Sequence, residues 1–158
     1  MLTPTKHLPL STLVPPNTHL ANHTAIVDTG ATGHYLDATA EQHCLDVQPT
    51  DTGPSVQVAN GDNIETTKRA TLQLSDSLSP QATTAHIFDD LKSGSLLSIG
   101  QLCDDDCIAL FTKYNVHIYK NGQIIIDGKR DSRNGLWTIP LAPQATLPSQ
   151  LLLPPTSP

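Results

Sequence analysis

The sequence predicts a mainly β domain, a small closed or partly closed barrel with one or two short helices. Three observations predict it: apolar residues recur with a period of two, Asn-Gly pairs stand between apolar runs, and no long amphipathic helix is present. The prolines set the limits of the folded unit. Of 13 in the 158 residues, four precede residue 25 and six lie from 140 onward. Tyr35, Phe88, Phe111, Tyr114, Tyr119 and Trp137 all sit between those clusters. Residues 1–24 and 140–158 therefore read as disordered Pro-rich tails, and 25–139 as one domain.

Along the chain, Ala25-Ile26-Val27 predicts a buried strand. A short helix is expected over Thr39–Leu45, where Thr39 and Gln42 have capping-box spacing. Val56-Gln57-Val58 followed by Asn60-Gly61 predicts a hairpin, with Ala70–Leu74 as the returning strand. A second short helix is expected after Gly100. Ile108–Phe111 and Leu136–Ile139 supply further strands. Val116–Tyr119 and Ile124–Ile126 flank Asn121-Gly122, which tolerates the positive φ values of a type I′ turn.

Composition excludes several function classes. Nine basic against 15 acidic residues give a net charge of −6, and the basic residues are scattered. A nucleic-acid interface needs a clustered cationic face, so direct nucleic-acid binding is not expected. No apolar run approaches the ~18 residues of a membrane span, and the proline-broken N-terminus does not read as a signal peptide. Three cysteines are too few and odd for a disulfide scaffold, which fits an intracellular, reducing compartment. Cys103-Asp104-Asp105-Asp106-Cys107 offers two metal ligands where a structural zinc wants four. His43-Cys44 could complete a set, but a solvated acidic turn with two small buried thiols is the simpler reading, and no metal or cofactor is assigned. No Gly-x-Ser-x-Gly elbow surrounds Ser95, no phosphate loop appears, and His34 reads as a strand-edge residue.

The stretch that carries chemistry is Ala25-Ile26-Val27-Asp28-Thr29-Gly30-Ala31-Thr32. An aspartate just past a buried strand is rigidly held while its carboxylate faces a cleft. Thr29 offers a hydroxyl and Gly30 lets the chain turn with no Cβ in the way. The plain alternative is a strand-terminal turn, where these residues are also common. The Asp28 loop is expected to pack against Leu96–Gly100.

These residues resemble the signature of retroviral and retrotransposon aspartic proteases, apolar–apolar–Asp–Thr/Ser–Gly–Ala. Ser95-Leu96-Leu97-Ser98-Ile99-Gly100-Gln101-Leu102 is similar to the Asn-Leu-Leu-Ser-Val-Gly-Gln-Leu run of copia-type Gag-Pol polyproteins. Gly128-Lys129-Arg130 with Asn134-Gly135-Leu136-Trp137 resembles the segment that follows that protease domain. The resemblance covers about 25–139 and implies a retropepsin-like closed barrel in a polyprotein fragment. It implies that Asp28 is catalytic, that Thr29, Gly30, Ala31 and Thr32 support its loop, and that Gly100 is the structural glycine behind the site. It also implies a substrate-covering hairpin within 56–74; Thr66–Ala70 stands where its glycine-rich tip is expected.

Such chemistry needs two carboxylates, and the chain has one Asp-Thr-Gly. Ile126-Asp127-Gly128 lacks the hydroxyl residue and reads as a turn. The second carboxylate is therefore expected from Asp28 of another copy, in a homodimer cleaving a polypeptide, its own polyprotein. The alternative from a different class is a catalytically silent β module with a structural or assembly role, which the charged Thr66–Ala70 segment and the reading of the chain as a truncated fragment favour.

Overall fold

The structure, a computed structural model, describes residues 23–141. The sequence-predicted tails lie almost wholly outside these residues. Twelve strands form a ten-stranded mixed sheet and a two-stranded sheet. They are β1 (Thr24–Asp28), β2 (His34–Asp37), β3 (Cys44–Pro49), β4 (Ser55–Gln57), β5 (Asn63–Glu65), β6 (Lys68–Leu72), β7 (Thr84–Phe88), β8 (Ser95–Ser98), β9 (Ile108–Phe111), β10 (Asn115–Lys120), β11 (Gln123–Arg130) and β12 (Trp137–Pro140). A 3-10 helix spans Ala38–His43, and two short helices, α1 (Pro80–Thr83) and α2 (Ile99–Cys103), precede β7 and follow β8.

The large sheet runs β3-β6-β7-β2-β8-β1-β12-β11-β10-β9. β1 sits between β8, to which it is parallel, and β12, to which it is antiparallel. The mainly β expectation holds; the closed retropepsin-like barrel does not. Closure would require β3 and β9, the two ends of the order, to pair, yet β3 pairs only with β6 and β9 only with β10. Both end strands also expose large apolar side chains, Leu45 on β3 and Ile108 and Leu110 on β9. One core cluster nevertheless joins both halves of the sheet, from Ala70 and Leu72 through Val27, Leu36 and Leu97 to Val116, Ile118 and Ile139.

Local chemistry explains several elements. Asn121 and Gly122 adopt φ of 53° and 79°, and the β10–β11 hairpin forms around them. The 3-10 helix begins one residue before its expected start, because Asp37 accepts a hydrogen bond from Thr39 N at 2.8 Å and caps it. The second hairpin differs from expectation. β4 returns through Gly61 (φ 94°) to β5, whereas 68–72 enters the large sheet as β6 between β3 and β7. Thr66 is buried, so Thr66–Ala70 is the exit from the hairpin and not its tip. Thr66 Oγ1 donates to Pro54 O at 2.5 Å, and a Cβ on Gly53 would come within 2.7 Å of Thr66. The base of the hairpin is therefore closely packed.

Asp127 and Gly128 lie within β11 and not in a turn. Asp127 Oδ1 meets His117 Nδ1 across the strands at 2.5 Å. A Cβ on Gly128 would stand 2.3 Å from Thr138 O and 2.8 Å from Val116 Cγ1. This glycine lets β11 and β12 close over β10. Gly128→Ala should therefore destabilise the domain by about 2 kcal/mol or more, from overpacking against backbone that cannot yield. Denaturant unfolding checks it; an unchanged midpoint would contradict the packing described.

Candidate active site

β1 ends on Asp28, one residue beyond the apolar run that buries Ala25 and Val27. Its register with β8 places Ile26 beside Leu96, Val27 beside Leu97 and Asp28 beside Ser98. Asp28 therefore stands against the Leu96–Gly100 segment, half-buried at the end of a fixed strand. Its Oδ1 accepts a hydrogen bond from Gly30 N at 2.7 Å, which closes the chain back on the carboxylate. A Cβ on Gly30 would lie 3.3 Å from that oxygen, so the glycine keeps the approach open.

The loop after Asp28 is held by residues that sequence reasoning left out. Ser98 Oγ donates to Ala31 O at 2.8 Å and accepts from Gln101 N at 3.0 Å, so one hydroxyl ties the loop and caps α2. His34, fully buried, accepts from Ser98 N at its Nδ1 (3.0 Å). That fixes the tautomer with the proton on Nε2, which donates to Ala82 O at 2.8 Å. Gln101 Oε1 accepts from His34 N, and its Nε2 donates to Gln81 O and Thr84 O. His34 is thus a buried cross-link between β2, β8 and α1, not a strand-edge residue. Period two could have found it, since it shares a face with Leu36.

Of the other expected residues, Thr29 and Gly30 are exposed, and the Thr29 hydroxyl has no intrachain hydrogen bond among the described residues. Ala31 contributes its carbonyl to Ser98. Thr32 Oγ1 and Tyr35 OH are 2.6 Å apart, bracing the entry to β2. Gly100 lies exposed in the first turn of α2, and a Cβ there would meet only Ser98 Oγ at 3.7 Å. Its conformation makes no demand for glycine; the side chain that reaches the loop is that of Ser98.

The cysteine-rich turn has a structural task. Asp105 accepts from Ser79 N at 2.9 Å and from Lys120 Nζ at 2.7 Å, joining the end of α2 to the start of α1 and to β10. The Lys120 contact first, then Ser79, holds the Asp105 carboxyl down to about 2. Cys107 is buried as expected but Cys103 is exposed, so one of the two thiols expected in the interior is not there, and no disulfide forms among the described cysteines. His43, Cys44, Cys103 and Cys107 are not gathered into one group: among the described residues no three His, Cys, Asp or Glu side chains converge as metal ligands. No helix among them is long and apolar enough to cross a membrane.

Burial pushes His34 down from 6.5 to about 4, with the Ala82 bond acting in the opposite sense. The unfolded chain takes up the proton near 6.5 and the folded one only near 4. The stabilisation is thus complete above the unfolded value and is lost as pH falls from 6.5 towards 4. His43 and His86, also lowered by burial, add in the same direction. His34→Gln retains one acceptor and one donor but does not titrate. Between pH 7 and pH 4.5 this variant should lose about 2 kcal/mol less stability than the unaltered protein. Urea unfolding at the two pH values checks it; an identical loss would contradict the buried neutral imidazole.

No protein-family model, curated protein or solved structure matches the chain.

Proposed function

We propose that the chain is an aspartic endopeptidase of a copia-type retrotransposon polyprotein, acting as a homodimer on a polypeptide, with Asp28 as the catalytic residue of each copy. The observation that carries this reading is the placement of Asp28: a half-buried carboxylate ending a buried strand, in register with Ser98, its loop pinned by Ser98 Oγ. A carboxylate that must meet a second one within hydrogen-bond reach needs such a mount. The exposed Thr29 hydroxyl supports the same reading, because it is free to bond a facing loop.

In this chemistry the two Asp28 carboxylates share one proton. The ionised member takes a proton from water as the water oxygen attacks the scissile carbonyl carbon. The protonated member gives its proton to the carbonyl oxygen. Collapse of the tetrahedral intermediate breaks the C–N bond, and the leaving nitrogen takes up a proton from the dyad. Metal and cofactor have no part in these steps. The β4–β5 hairpin, turning through Val58–Asp62, is the element available to cover the substrate. One of the two grounds for the silent-module alternative, a charged tip at Thr66–Ala70, falls away, because that segment is the exit of the hairpin.

Asp28→Asn should abolish peptide cleavage, a loss of at least ~10³-fold, with the unfolding midpoint nearly unchanged. The amide is close to isosteric but cannot serve as base, and a two-fold site loses both members together. Wild-type activity should rise more steeply than linearly with protein concentration and show a bell-shaped pH profile, since only the singly protonated dyad works. A chelator should have no effect. Cleavage that survives Asp28→Asn, or that a chelator abolishes, would overturn the reading.

A further inference from the structure

Side chains at paired positions in neighbouring strands lie on the same face of a sheet. The register therefore sets Ile26, Leu96, Tyr35, His86 and Arg69 in one row across β1, β8, β2, β7 and β6. Their strand neighbours Ala25, Val27, Leu97, Leu36, Ile87 and Ala70 fill the core on the opposite face. The row is half-exposed and changes character along its length. It is aliphatic beside Asp28 and carries His86 and Arg69 at β7 and β6, three and four strand spacings or about 14 and 19 Å away.

A cavity of about 390 Å³ opens on this row, starting at Thr32 and Gly33, immediately after the Asp28 loop, and reaching His86. Its walls include no carboxylate. Most of its polar groups are committed: Thr32 to Tyr35, Thr84 Oγ1 to Pro80 O, and both ends of the Gln101 amide to backbone. The His86 ring and the Gln81 amide have no side-chain hydrogen bond among the described residues. Arg69, opposite His86 in the β6–β7 register, forms no ion pair among the described residues; its neighbour Lys68 is the one paired, with Glu41 at 2.7 Å.

We propose that this cavity is a specificity pocket for an acidic side chain of the peptide, an Asp or Glu carboxylate held by His86 and Arg69 with the Gln81 amide as a further donor. The inference rests on the endopeptidase reading for its ligand, a polypeptide. His86 lines the cavity and Arg69 stands opposite it in the β6–β7 register; an imidazole N–H beside a guanidinium, with no carboxylate in the cavity walls, favours a carboxylate over its neutral amide isostere. Because the chain as a whole is acidic, at −6, the attraction is local, and added salt weakens it. His86 is lowered by burial and by Arg69, and an anion seated between the two would raise it.

The test uses the full chain carrying Asp28→Asn, so that peptides bind without being cut. Extended peptides with an apolar background carry Glu or Gln at each position in turn, and binding is read by fluorescence anisotropy and by the His86 ring resonances. At one position Glu should bind about tenfold more tightly than Gln at low salt, with a shift of the His86 resonances. Arg69→Gln and His86→Gln should each bring that ratio towards one. No position preferring Glu, or a preference that survives both substitutions, would overturn the pocket. The same peptides offered to the chain with Asp28 intact separate the two claims. Cleavage without a Glu preference refutes the pocket alone, whereas Glu-selective binding without any cleavage supports the pocket and refutes the endopeptidase.

Discussion

Ser98 stands where three elements meet, and the geometry of the Asp28 loop depends on it. Its backbone places β8 in register with Asp28, its N–H is fixed by the His34 imidazole, and its hydroxyl holds the Ala31 carbonyl while capping α2. A buried hydroxyl between a carbonyl and an N–H is satisfied in both senses, which gives the loop one arrangement at little cost. Gln101 and Ala82 carry the same network outward to α1 and β7. A short strand–helix unit with no chemistry of its own thus acts as the mount for a carboxylate.

The mount explains the distribution of polar groups over the sheet. One face is given to aliphatic packing, with His34 and Ser95 as the buried polar side chains of its central strands, whereas Ser98 alternates with Leu97 onto the face that carries Leu96. Among the described residues no buried side-chain polar atom lacks a partner. The other face is half-exposed and carries the row from Ile26 to Arg69. The inner face packs the sheet and anchors the Ser98 backbone through His34, while the outer face carries Asp28, Ser98 and the row proposed to select what approaches. The open ends of the sheet at β3 and β9 take no part in either.

How much of this was legible in the sequence differs from element to element. The Asn121-Gly122 hairpin was legible because its turn is specified by two adjacent residues, whose φ values are both positive. The end of β1 was legible for a similar reason, an apolar run stopped by Asp-Thr-Gly. The return of the 55–65 hairpin was not: β5, Asn63-Ile64-Glu65, holds a single apolar residue, too weak a period to outrank Ala70–Leu74. Nor was the open sheet, since whether β3 meets β9 is a matter of register between segments some sixty residues apart. The loop residues Asp28 to Thr32 were read locally. Ser98 and His34 act through contacts more than sixty residues apart, which no local pattern encodes. Gly100, by contrast, was singled out by resemblance, and its conformation requires nothing of a glycine.

The proposed chemistry places one site between two chains, each giving one carboxylate. Mixing the unaltered protein with its Asp28→Asn variant, at fixed total concentration and after subunit exchange, tests that stoichiometry directly. Random pairing leaves about a quarter of the dimers with two aspartates in an equal mixture, so cleavage should fall to about a quarter of the all-wild-type rate. A fall to only about a half, in proportion to the wild-type chain present, would mean that each chain works alone and would contradict the shared site.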